Sequence, residues 1–98
     1  MKLIVVHAAQ TELEEARDFY LQHASPRIAA AFLDEFERST RRLLEYPTFG
    51  TPISLKQRHL TLRHFPYSII YRLSSEGIII TAIAHQRRRP GYWAGRGG

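Results

Sequence analysis

Ninety-eight residues, 44% hydrophobic and 11% aromatic, suffice for one domain with a small core and are too apolar for a disordered chain. The absence of cysteine excludes disulfides and thiolate chemistry and suits a reducing compartment. No apolar stretch approaches the roughly 20 residues of a membrane helix, and "MKLIVV" is too short for a signal peptide, so a soluble, cytoplasmic chain with no membrane role is expected. The formal net charge of +5 is unevenly placed: residues 1–49 hold six Lys/Arg against eight Asp/Glu, residues 50–98 eight against one, Glu76. A basic half with so little counter-charge is suited to a polyanion or an acidic protein segment, unless it is only a solubility charge.

In chain order, "KLIVVH" (2–7) is short, apolar and β-branched, which predicts a strand. Residues 8–24 have helical spacing: Ala9, Leu13, Ala16 and Tyr20 share a face beside Phe19, and Thr11 with Glu14 matches a capping box. Ser25 and Pro26 restart the chain as a cap and a first-turn proline. A second helix then runs to about Tyr46, with Ile28, Phe32, Phe36, Ser39 and Leu43 as its stripe, until Pro47 stops it. The tight joint predicts an antiparallel helical hairpin. Residues 47–57, with two prolines and a glycine, predict a loop.

Three strands are expected next. Residues 58–65 alternate, with Leu60 and Leu62 opposite His59, Thr61 and Arg63. Residues 67–73 place Tyr67, Ile69, Tyr71 and Leu73 on one face. "SSEG" (74–77) predicts a hairpin turn in which Gly77 supplies positive φ, and residues 78–85 are apolar on both faces, as in a central strand. The order β-α-α-β-β-β predicts an α+β domain: an antiparallel sheet with the N-terminal helical hairpin packed on one face. The other face is left open, and Arg63, Arg72 and the segment after the last strand are expected to gather there.

Candidate functional residues concentrate in that second half. Arg63 is either an ordinary exposed arginine or an anion-binding one on the open face. His85 ends the apolar strand, as a structural residue or as an acid–base group. Arg87, Arg88 and Arg89 form a charge run, but Pro90 and Gly91 turn the chain, and Tyr92 and Trp93 must bury area or stack. Folding back would pin the arginines against the sheet and lower the entropy lost on binding an anion. The five histidines, at 7, 23, 59, 64 and 85, do not match a zinc site, and no phosphate-binding glycine loop, nucleophile elbow or HExxH motif occurs, so neither metal nor cofactor is expected.

Taken together, "FYLQHASPRIAAAFLDEFERSTRRLLEYPTFGTP", "RHLTLRHFPYSIIYRL" and "IIITAIAHQRRRPGYW" resemble the ParE/RelE superfamily, the toxins of type II toxin–antitoxin modules, often called plasmid stabilisation proteins. Pro47–Gly50, Arg63, Phe65-Pro66-Tyr67, Tyr71 and the spacing of His85, Arg88, Pro90 and Trp93 resemble the ParE branch most. The resemblance implies a single toxin domain over 1–98, in which the glycine-rich end, 94–98, is expected from its own composition to fray. It implies a cognate antitoxin as partner, often as two toxins with two antitoxins. ParE-type members poison DNA gyrase without being enzymes in the usual sense, and the target-binding residues would be Arg63, Arg72, Arg87, Arg88, Arg89, Tyr92 and Trp93. RelE-type members cleave mRNA on the ribosome, and the catalytic set would then be Arg63, His85, Arg88 and Tyr92, with Lys56 in support. Metal-free cleavage needs a base, cations and an acid, and Glu76 is badly placed to serve. A basic RNA-binding module, using arginines and aromatic stacking, is the third alternative.

Overall fold

The computed structural model describes residues 1–96. The chain runs β1 (Lys2–Val5), α1 (His7–His23), α2 (Pro26–Glu45), β2 (Thr51–Pro52), β3 (Arg58–Thr61), β4 (Tyr67–Ser74) and β5 (Gly77–His85). Helix α1 starts at His7 with no side-chain cap, so Thr11 and Glu14 lie inside it; Glu14 instead accepts a 3.0 Å bond from Gln10. The joint between the helices is as its residues predict: Ser25 Oγ accepts from the Ile28 amide at 3.1 Å, and Pro26 opens α2. Among the described residues no helix is long and apolar enough to cross a membrane.

The helices cover one face of a five-stranded sheet of order β1-β5-β4-β3-β2. Strands β2 to β5 pair antiparallel, whereas β1 pairs parallel with β5, Lys2 to Val5 opposite Gly77 to Ile80. The sheet is therefore mixed, not wholly antiparallel as expected. Hairpin connections force reversal between β3, β4 and β5; β1 is tied to β5 by no hairpin and is free of that rule. The predicted loop also contributes the two-residue edge strand β2.

The covered face holds the main core, with Ala9, Leu13 and Ala16 of α1, Phe32, Phe36 and Leu43 of α2, and Ile69, Tyr71, Ile78, Ile80 and Ile83 of the sheet. Phe32 is fully buried, so its truncation to alanine should cost about 3–5 kcal/mol. One irregularity decides what faces where. Ile70 pairs with Ala82 but Tyr71 with Ile80, leaving Thr81 as the extra residue of a bulge. Inward positions thus switch from Ile78 and Ile80 to Ile83, and Ala82 and Ala84 turn to the open face. Buried Thr81 spans the kink, with its hydroxyl 3.3 Å from both the Ile70 carbonyl and Gln57 Oε1.

Two glycines mark close approaches. Gly77 has φ +146° and carries the β4–β5 turn, and the Lys2 backbone occupies the space of any Cβ there. At Gly50 a Cβ would lie 2.6 Å from the Tyr71 hydroxyl. That hydroxyl donates to the Pro47 carbonyl at 2.8 Å and accepts from the Gly50 amide at 2.9 Å, fastening the α2–β2 loop to the sheet.

Candidate target-binding surface

The open face of the sheet carries a second, smaller apolar cluster. Ile70, Ala82 and Ala84 are buried there because Tyr92 and Trp93 fold back over them. The expected return of the aromatic pair is thus observed. The two rings meet edge to face at 5.2 Å. Pro90 and Gly91 make the return, with Gly91 at φ +82°, and successive turns follow, closed by Ala94 N to Gly91 O at 3.0 Å and Arg96 N to Trp93 O at 3.1 Å.

A carboxylate on α1 fixes this arrangement. Glu12 accepts from the Tyr92 hydroxyl at 2.8 Å, from Arg96 at 2.9 Å and from the Ile83 amide at 3.0 Å. Beyond Val5, β1 no longer covers the edge of β5, so the Ile83 amide would lack a strand partner without Glu12. Arg96 also reaches the Thr81 carbonyl at 3.3 Å. The Arg88 and Arg96 guanidinium carbons stand 4.0 and 5.1 Å from the Tyr92 ring centroid. Burial, then the Glu12 hydrogen bond and charge, push the Tyr92 phenol well above its ordinary range, and the two arginines only partly offset this. Within the end of the chain expected to fray, 94–98, Arg96 is half-buried and ion-paired to Glu12; residues 97–98 lie outside the described residues.

Arg87, Arg88 and Arg89 are exposed and project from this anchored return. His85 accepts the Arg87 amide on Nδ1 at 3.0 Å, leaving only Nε2 for any other partner, and its ring stands against Tyr67 at 5.0 Å. Because of the bulge, His85 turns toward α1, where it shares a groove with Glu12, Glu15, Arg88 and Tyr92. Arg72 lines a basic groove of about 550 Å³ with Lys56 and Arg58 at the other end of the open face. Between these, Ile53 and Leu55 face Pro90 and Trp93 across an apolar groove of about 780 Å³.

Arg63 does not join them. Strand β3 ends at Thr61, so the alternation that predicted its direction stops before reaching it. His64 adopts φ +68°, and the Arg63 amide donates to Glu35 of α2 at 2.9 Å. The residue lines a cleft with α2, on the helical side of the sheet. Of the four residues in the RNA-cleaving alternative, His85, Arg88 and Tyr92 share a groove and Arg63 lies apart. Among the described residues no three His, Cys, Asp or Glu side chains converge on a metal position.

Nothing in the sequence pattern singles out Glu12 or Glu35. Each is an acid on a helix rich in acids, distinguished only by lying next to the buried stripe, before Leu13 and Phe36. Ile53 and Leu55 lie in the stretch 47–57, whose prolines and glycine predict a loop.

The sheet thus carries an anchored basic and aromatic face opposite its helical hairpin, and comparison with known proteins gives the family of the chain. The model of the family described as ParE toxin of type II toxin-antitoxin system, parDE, matches residues 3–90. Toxin ParE2 of Mycobacterium tuberculosis is 29% identical over 89 residues, spanning 91% of this chain and 85% of that protein. Y4kP of Sinorhizobium fredii is 36% identical over 70 residues, 69% of this chain and 73% of its own. A chain from the structure titled Chromosomal ParDE TA system from P. aeruginosa shares the fold at TM-score 0.76 and 23% identity, over 87% of this chain and 95% of that one. The chain belongs to the ParE toxin family of type II toxin–antitoxin systems.

Proposed function

We propose that the chain poisons DNA gyrase by binding it, without catalysing a reaction, and that a cognate antitoxin neutralises it in the cytoplasm. The working surface is the open face with its basic return: Arg72, Arg87, Arg88, Arg89, Tyr92 and Trp93. The observation that carries this reading is the Glu12 anchor. It holds Tyr92 as a hydrogen-bond donor with a raised pKa, which suits a rigid platform and does not suit a general base. Arg63 contributes nothing to this face. The antitoxin partner is supported by family membership and by the neighbour's ParDE title, and an acidic segment in that partner would suit the basic half of this chain. Two toxins with two antitoxins is the assembly we propose for the complex.

Brief expression in bacteria tests the target. Cleaved gyrase–DNA complexes and an SOS response are expected first. Rapid translation arrest with mRNA cut in the ribosomal A site would replace this reading with the RNA-cleaving one. Toxicity that survives His85→Ala speaks against a histidine acid or base.

A further inference from the structure

We infer that the rim between α2 and β3 is a second binding site, one that takes an acidic side chain of a protein partner. Arg38, Arg42 and Arg63 line a single cleft of about 140 Å³ there. Among the described residues Glu35 is the one carboxylate lining it, and it is already engaged by the Arg63 amide at 2.9 Å, Ser39 at 3.3 Å and Arg38 at 3.5 Å. Among the described residues neither Arg42 nor Arg63 forms an ion pair. Two arginines without an acidic partner therefore line a concave surface, and guanidinium matches carboxylate geometry well.

The placement is built into the chain. A buried carboxylate is directed at a backbone amide, and the next residue, His64, holds a left-handed conformation uncommon for a side-chain-bearing residue. Together they turn Arg63 off the strand and toward α2. Arg42 lies 5.2 Å from the Phe49 ring centroid, and Phe49 and Tyr46 are each about half exposed. An acid with an apolar neighbour would satisfy both features.

A polynucleotide fits less well. The cleft has room for one side chain and not for a nucleotide, and α2 also carries Asp34, Glu37 and Glu45, which a phosphate backbone lying along the helix would meet. A discrete carboxylate avoids them. This site is independent of the gyrase reading and lies on the helical side of the sheet, away from Trp93.

The test uses the full chain labelled with nitrogen-15 and titrated with a capped hexapeptide alternating glutamate with leucine. The same peptide with glutamine for glutamate, and an oligothymidylate, are run in parallel. Shifts are expected at the Phe49, Thr61 and Arg63 amides, with about tenfold weaker binding of the glutamine peptide. The double variant R42Q/R63Q should lose the response while keeping the remaining spectrum, since both side chains are exposed. No shifts at these amides, equal binding of the two peptides, an unchanged response in the double variant, or a stronger response to oligothymidylate at the same amides would each overturn the assignment.

Discussion

The Tyr92 hydroxyl donates to the Glu12 carboxylate at 2.8 Å, joining residues 80 positions apart. The same carboxylate closes the edge of β5 through the Ile83 amide and holds Arg96. One acid on α1 therefore completes a sheet edge and fixes the basic segment in place. The proposed binding through the arginines gains from this, because ordering has been achieved before the partner arrives.

Removing that acid should release the segment. Glu12→Ala leaves the Ile83 amide and the Tyr92 hydroxyl without their acceptor, in a site where the Glu12 side chain is only 12% exposed. A loss of about 2–3 kcal/mol is expected, which lowers Tm by about 10 °C in a domain of this size. Trypsin should then cut after Arg87 and Arg88 far faster than in the parent, and Trp93 emission should move to the red. Unchanged cleavage and emission would show that apolar packing alone holds the return.

Alkaline pH should act through the same phenol. Tyr92 ionises near 10.0 when the chain is unfolded and at higher pH when folded, because burial and Glu12 oppose the phenolate. The folded state keeps a proton that the unfolded state has lost. The contribution is thus complete below about pH 10 and declines as pH rises past it. Tyr20, Tyr67 and Tyr71 are shifted in the same direction, mainly by burial, and steepen the decline. Urea midpoints measured across this range should fall less steeply for Tyr92→Phe than for the parent. Parallel curves would mean that another tyrosine governs the response.

Much of this was legible in the sequence, and the failures have local causes. The helical hairpin followed from Ser25-Pro26 and two apolar stripes, and the hairpin turn from Gly77. The return of Tyr92 and Trp93 followed from the cost of leaving two aromatic side chains in water. Alternation predicts the wrong side for Arg63 because β3 ends at Thr61 and His64 turns the backbone. The parity switch at Thr81 was hidden because residues 78–85 are apolar on both faces, so a bulge leaves no trace in the pattern. Glu12 was hidden for another reason: its partners lie far along the chain, and its neighbours Glu14 and Glu15 look the same.

The α2–β2 loop offers a cleaner stability test. Tyr71→Phe keeps the ring in the core but leaves the Gly50 amide and Pro47 carbonyl without the hydroxyl that joins them. A cost of about 1–3 kcal/mol is expected. Hydrogen exchange should rise at Gly50 and in the loop, while β4 and β5 stay protected. Exchange that rises uniformly would show that the hydroxyl stabilises the whole fold and not this joint.

The three consecutive arginines should not be equivalent. Arg88 lies 4.0 Å over the Tyr92 ring, a contact that contributes about 0.5–1 kcal/mol when exposed. Among the described residues Arg87 and Arg89 form no ion pair. Arg87→Ala and Arg89→Ala should therefore leave Tm within about 1 °C while weakening growth inhibition, since surface changes without partners scarcely alter stability. Arg88→Ala should lower Tm by several degrees as well, because Tyr92 loses one of its two neighbouring cations. Charge reversal at all three positions should abolish growth inhibition while the domain remains folded. If the reversed protein still arrests growth, the target is engaged elsewhere, and the anchored return serves only to close the edge of β5.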